Sequence, residues 1–278
     1  MLKIGFMQGR LSNMLNDKIQ SFPFDSWKNE FEIASKNNFN ILEWTIDSVN
    51  IFNNPVLKDE DHSQILELKK SFSMSIPSIT CDFFMENPFF KMDNDKKINH
   101  QKLLLNFLSN CAKLKIGIIV IPLVDNGKIE NKSQEITIIN FFLNHLEFLK
   151  KNDLQIIFES DFPPRKLKNF INQFPSKNFG INYDTGNSAS LGYNFSEEFD
   201  AYFKNIKNIH IKDRLLNGTT VPLGQGNADL EGILIYLINH NYNGNLILQT
   251  ARHKNNHLEV LCDYREYILN IINNYEKK

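Results

Sequence analysis

The sequence predicts an α/β protein of the (β/α)8 TIM-barrel class, and three observations carry that prediction. Eight short runs of apolar or β-branched residues punctuate the 278-residue chain, each followed by a longer stretch with the apolar spacing of an amphipathic helix. The starts of these runs recur every 25 to 42 residues, the length of one strand–helix unit. Eight such units in a chain of this size is the arithmetic of a closed parallel barrel. A doubly wound open sheet is the competing architecture, and it would carry a glycine-rich phosphate turn after an early strand. Here the first strand runs into Gln8-Gly9-Arg10, and neither GxGxxG nor GxxxxGK[ST] occurs anywhere. No Pro/Gly/Ser linker, charge block or low-complexity segment divides the chain, so residues 1–278 are expected to form one domain.

In order, the strands are expected at residues 2–7, 40–46, 74–81, 116–123, 154–160, 179–184, 207–212 and 245–250. Helical faces lie between them. Trp27, Phe31 and Ala34 share one face after Phe24-Asp25, which reads as a cap with its apolar staple. Leu103, Leu104, Phe107, Leu108 and Cys111 repeat the spacing, as do Ile138, Phe141, Phe142, His145 and Phe148. Ile233, Tyr236 and Leu237 mark a further helix, and Leu261, Tyr264, Ile268 and Ile271 the last.

Composition narrows the function. Thirty-one basic against 32 acidic side chains give a net charge of −1, which excludes a strongly basic nucleic-acid binder. The three cysteines are odd in number and form no CxxC pair, so no disulfide framework is expected and a cytoplasmic location fits. No apolar run approaches the ~20 residues of a membrane span, and the opening MLKIGFMQGR has no secretory apolar core. The 38 asparagines are spread evenly and read as a compositional bias, without weight as a motif.

In a barrel, chemistry sits at the carboxyl ends of the strands. The polar residues there are Gln8 and Arg10 on the first strand, Glu43 and Asp47 on the second, Asp82 on the third and Asp125 on the fourth. The fifth offers Glu159 and the sixth Asp184 and Asn187. His210, Lys212, Asp213 and Arg214 follow on the seventh, then Gln249 and Arg252 on the eighth. Glu159, Asp184 and His210 each end an apolar run on three successive strands. Two buried carboxylates and an imidazole in one place call for a compensating cation, and mixed O/N ligands suit Mn, Co, Mg or Zn. Arg10 and Arg252 could hold an anionic group bidentately. Lys212 either polarises a carbonyl or pairs with Glu159 or Asp184, and Glu43 either reaches the cavity or orients His210 or Arg10. The Pro222–Gly226 stretch reads as a close-approach loop or a plain turn. His253 and His257 lack the glutamate of a zinc HExxH motif and read as a solvated pair.

The series IIFES, NYDTGN, HIKDR and PLGQGNADL, in register along the whole chain, resembles the xylose isomerase-like TIM-barrel superfamily of sugar-phosphate isomerases and epimerases. The resemblance implies one divalent metal held at the ends of strands five to eight, on Glu159, Asp184, His210 and Gln249. It further implies Glu159 and Lys212 as catalytic groups, with substrate contacts from Arg10, Glu43, Asn187 and Arg252. Gln249 departs from the glutamate usual in that family. An amide oxygen can ligate a hard cation but cannot accept a proton near neutral pH. With Glu159 as the principal base, transfer on one face of the substrate is favoured over the two-base inversion of the family's epimerases. The expected activity is a metal-dependent isomerase or epimerase acting on a small sugar or sugar phosphate through an enediolate. A lyase or hydrolase on the same metal, and a binding protein whose catalytic pair has decayed at Gln249, remain as alternatives. Neither nucleic acid nor membrane is an expected partner, and a homo-oligomer is left open.

Overall fold

In the computed structural model, which describes residues 2–15 and 18–277, eight parallel strands close into a barrel. They are β1 (Lys3–Met7), β2 (Leu42–Ile46), β3 (Ser78–Cys81), β4 (Ile118–Leu123), β5 (Gln155–Ser160), β6 (Phe179–Asp184), β7 (Ile206–Ile211) and β10 (Asn245–Leu248). The order around the barrel is β1-β10-β7-β6-β5-β4-β3-β2. The remaining two strands, β8 (Asp213–Arg214) and β9 (Thr220–Val221), form a small antiparallel hairpin on the loop after β7. All eight expected strands are present: β6 keeps its expected bounds, β7 runs one residue earlier, and the other six are shorter at one or both ends. The third begins at Ser78 instead of residue 74 because Pro77 has no N–H to give a ladder.

The helices are α1 (Asn29–Lys36), α2 (His62–Ser71), α3 (Asp82–Glu86), α4 (Asn94–Lys113), α5 (Lys132–Asn144), α6 (Leu146–Lys151), α7 (Pro164–Ile171), α8 (Thr185–Leu191), α9 (Phe195–Tyr202), α10 (Leu230–Asn239) and α11 (His257–Glu276). Among the described residues no helix is long and apolar enough to cross a membrane. Two helical expectations need correction. Asp25 does not cap α1: the chain makes turns on the Pro23 carbonyl before the helix starts at Asn29 without a side-chain cap. The face running from Ile138 to Phe148 is not one helix either. It breaks at His145, whose Nδ1 lies 2.7 Å from Phe141 O, the carbonyl a continuing helix would use for the His145 amide.

Alternation along the strands decides what faces the barrel axis. Leu42, Trp44 and Ile46 of β2 join the large core between sheet and helices, while Glu43 and Thr45 turn inward. Phe158 of β5 packs outward against Phe142, Phe170 and Phe174, with ring centroids 5.2–5.6 Å away, which leaves Glu159 on the axis side. Met7, Ile41 and Ile247 form a separate apolar cluster. A register shift between Ile181 and Asn182 sets Asp184 level with His210 and Asn182 level with Asn208, the kind of irregularity that re-aims side chains near active sites.

Candidate metal centre

Glu159, Asp184 and His210 are all buried, and one ligand atom of each lies within 4.8 Å of the others. Glu159 and Asp184 are held by residues of the next strand and of the segments that follow the strands. Glu159 accepts hydrogen bonds from Asn182 Nδ2 at 2.7 Å and Asn187 Nδ2 at 2.8 Å. Asp184 accepts the Asn187 backbone N–H at 2.8 Å and pairs with Lys212 Nζ at 2.7 Å. Gly186 makes that ion pair feasible, since a Cβ there would sit 2.8 Å from Lys212 Cγ. Burial alone would push the Asp184 carboxyl up, but the Lys212 ammonium and His210 outweigh it and hold the group below the usual carboxylate range.

His210 is closed off from solvent and spans two carboxylates. Its Nε2 lies 2.6 Å from Glu43 Oε1, and its Nδ1 lies 3.0 Å from Glu159 Oε2 at an angle that gives Nδ1 no hydrogen bond. Burial works against the imidazolium, yet Glu43 and Glu159 together raise its pKa to about 10. Without a cation, the proton on His210 supplies the positive charge the two carboxylates need. Glu43 is saturated: besides His210 it accepts from Ser78 Oγ at 2.5 Å, Thr80 Oγ1 at 2.6 Å and Asn208 Nδ2 at 2.9 Å. These partners outweigh the effect of burial and hold its pKa down. Asn208 also donates to Asn182 Oδ1 at 2.9 Å, so a continuous hydrogen-bonded path runs from Glu43 to Glu159.

Gln249 follows β10, beside β7, with its backbone N–H bonded to Ile211 O at 3.0 Å. Its Oε1 is buried and, among the described residues, has no hydrogen-bond donor. Among the described residues, two buried ligand atoms, Gln249 Oε1 and His210 Nδ1, have no hydrogen-bond partner, the latter 3.0 Å from Glu159 Oε2. A divalent cation fits this donor set, because it can take oxygen and imidazole ligands together and offsets the buried negative charge.

The two arginines are placed differently from the expectation of a free anion clamp. Arg10 donates to Thr250 O at 3.1 Å, Ile19 O at 3.0 Å and Gln20 Oε1 at 3.0 Å. Arg252 donates to Ser12 O and Ile19 O. Both guanidiniums thus fasten the loop after β1 to the end of β10. Burial, and then Arg252 beside it, bring the Arg10 pKa down to about 9. The stretch Pro222–Gly226 wraps a carboxylate: Gly224 N and Gly226 N each donate to Asp213 Oδ2 at 2.9 Å, and Ala228 N to Oδ1 at 3.0 Å. Arg214 reaches over Asn187, with Nη1 2.9 Å from its Oδ1. Beside this pair a hollow of about 180 Å³ opens between Val124, Asp125, Asp161 and Ser190. A larger hollow of about 600 Å³, around Leu2, Asn40 and Ser75, lies at the opposite, N-terminal end of the strands.

Sequence reasoning missed Asn182 and Asn208, which bridge the two carboxylates, and gave Arg214 no role. The first two were discoverable: each precedes a site residue by two positions on its strand, which puts it on the same face.

A closed parallel barrel with a buried Glu–Asp–His group at the carboxyl ends of successive strands defines the class. The family described as xylose isomerase-like TIM barrel matches residues 31–267, and this chain belongs to it. Solved structures align over nearly its whole length. D-allulose 3-epimerase from Methylomonas sp. is 12% identical with a TM-score of 0.77, covering 97% of this chain and 98% of that one. L-ribulose 3-epimerase is 13% identical with a TM-score of 0.76, covering 100% and 96%. The IOLI protein, solved with a zinc atom, is 17% identical with a TM-score of 0.73, covering 99% of both chains. At these identities the likeness shows the fold. Among curated proteins, none matches the sequence at a significant level.

Proposed function

We propose that this protein is a metal-dependent isomerase or epimerase of small sugars or sugar phosphates, with Glu159 as the principal base. The observation that carries the reading is the buried Glu159–Asp184–His210 group, with His210 Nδ1 and Gln249 Oε1 left without hydrogen-bond partners among the described residues. Those four residues would hold the cation. Relatives of the same fold support the substrate class, being sugar epimerases by name, and one was solved with zinc.

Bound there, a divalent cation supplies Lewis acidity to a carbonyl and its neighbouring hydroxyl, which acidifies the adjacent C–H. The chain's own residues do the rest. Glu159 takes the proton from that carbon, and the substrate becomes an enediolate. Asn182 and Asn187, each donating to one Glu159 oxygen, fix the carboxylate's aim. Lys212, charged and next to Asp184, faces the negative charge that develops on the substrate oxygens. Glu43 keeps His210 in one orientation.

The test is metal analysis of the purified protein, then solvent-deuterium incorporation into D-fructose, D-psicose, D-tagatose, L-ribulose and their phosphates. The expected result is about one equivalent of divalent metal and deuterium uptake into at least one probe. Glu159→Gln should keep metal while losing deuterium uptake. A metal-free protein that exchanges no probe proton after loading with Mn, Co, Mg or Zn sinks the reading, as does an active Glu159→Gln variant.

A further inference from the structure

Four residues around the carboxyl ends of β1 and β10 each leave one polar atom buried and unpaired, and all four line one hollow. Among the described residues, Arg10 Nη2, Thr250 Oγ1, Arg252 Nε and His257 Nδ1 have no hydrogen-bond partner. The hollow, of about 10 Å³, is closed on its other side by Val260 and Leu261 of α11. It has room for one atom the size of a water oxygen or a halide, and none for a phosphate. In β10, Leu246 and Leu248 join the core between sheet and helices, and Ile247 the separate cluster with Met7. That alternation, carried past Gln249, turns Thr250 toward the helix layer and away from the metal centre. The hollow is therefore not a place for the substrate.

Its lining is cationic. Arg10 is only 3% exposed. Among the described residues, every hydrogen bond that Arg10 or Arg252 makes goes to a neutral oxygen: Thr250 O, Ile19 O, Gln20 Oε1 or Ser12 O. Glu30 is the carboxylate whose charge bears on both guanidiniums. Its oxygens accept the amides of Gly9 and Leu11, and it forms no ion pair with either arginine. Helix α11 starts at His257 without a side-chain cap, which brings the positive end of its dipole to the same hollow. Buried charge is costly without a counter-charge, and here two buried guanidiniums meet only neutral partners.

We propose that this hollow binds a single monatomic anion, chloride. Arg10 Nη2 and Arg252 Nε can only donate, and the Thr250 hydroxyl is free to turn its hydrogen to the same point. His257 Nδ1 adds a fourth donor when the ring carries its proton there. A water molecule could complete the same bonds, but it would leave both guanidinium charges uncompensated, whereas an anion offsets them. The bound ion would join the segment after β1, the end of β10 and the start of α11, so its binding free energy adds to the stability of the fold. The inference does not depend on the isomerase/epimerase reading.

The experiment compares thermal melts of the protein in sodium chloride and in sodium gluconate at one ionic strength, and locates bromide by anomalous diffraction from bromide-grown crystals. Above the dissociation constant, Tm should rise on the order of 3 °C for each tenfold increase in chloride, with no such rise in gluconate. Bromide should give an anomalous peak between Arg10, Thr250 and Arg252. Arg252→Gln should lose the chloride dependence. Thr250→Val, which removes one donor at nearly constant volume, should shift it to higher chloride, and it serves as the test if Arg252→Gln does not fold. Melts that are the same in the two salts overturn the proposal. A chloride effect undiminished in Thr250→Val overturns it too, since the ion then acts elsewhere. So does a hollow without a bromide peak, which holds water, and so does a bromide peak without chloride-dependent stability, which marks an adventitious ion only.

Discussion

His210 Nε2 lies 2.6 Å from Glu43 Oε1, with both side chains sealed from solvent, although 167 residues separate them in the chain. The contact commits Nε2 to Glu43 and leaves Nδ1 as the atom turned to Glu159. An imidazole oriented by a carboxylate in this way is a stronger and better-aimed ligand. Glu43→Gln should therefore weaken metal binding by about 10- to 100-fold without abolishing it. A competition titration with a chelating dye reads the change; unaltered affinity would show that Glu43 serves only the fold.

As a fourth ligand, Gln249 would offer a neutral oxygen where a carboxylate would add a charge. Gln249→Glu should tighten the metal site by at least tenfold, because a charged ligand gains more from a divalent ion than an amide does. Asp184→Ala should remove stoichiometric metal. If Gln249→Glu leaves affinity unchanged while Asp184→Ala abolishes it, the cation sits on three protein ligands and Gln249 stands aside.

The parts of this site that were legible in the sequence are those that interrupt a pattern. Glu159, Asp184 and His210 each end an apolar run, so their polarity stands out, and the eight runs themselves reveal the barrel. Asn182 and Asn208 were hidden for the opposite reason: among 38 asparagines, two more carry no compositional signal. Only strand alternation, counted back from Asp184 and His210, distinguishes them. The roles of Arg10 and Arg252 could not be read, because they depend on where Ser12, Ile19 and Gln20 come to lie, and no period encodes that. Glu43 stood between two readings until the closure of the barrel set it beside Ser78 and Thr80 of β3 and His210 of β7.

Glu159 is aimed from behind as well as from its own hydrogen bonds. Phe158, the residue before it, is fully buried, with Phe142, Phe170, Phe174 and Phe179 at centroid distances of 5.6, 5.2, 5.4 and 6.4 Å. Phe158→Ala should cost about 3–5 kcal/mol through lost transfer energy and the cavity left behind. A fall in Tm on the order of 10 °C should be visible in a thermal melt. A loss under about 1 kcal/mol would mean that the helices α5 and α7 collapse onto β5 far more readily than close-packed phenylalanines allow.

Glu30 gives a pH dependence whose sign follows from its setting. It lies on α1 beneath the loop after β1, fully buried, accepting the backbone amides of Gly9 and Leu11 at 3.0 Å. Burial raises its pKa from 4.5 to about 7, with the amide bonds, Ser12 and Arg252 only partly offsetting it. Between those two values the folded protein holds a proton that the unfolded chain has released. Stability from this group is therefore greatest below about pH 4.5, falls as pH rises to about 7, and is level above that. The span is on the order of 3 kcal/mol, at about 1.4 kcal/mol for each pKa unit. Glu30→Gln loses part of the amide pairing at every pH, a constant cost, but it removes the titration. Melts of metal-free wild type and variant at pH 5 and pH 8 should thus show wild type losing ground relative to Glu30→Gln as pH rises. Parallel pH profiles for the two proteins would mean that Glu30 titrates in the fold as it does in the open chain, and that its two amide partners compensate burial in full.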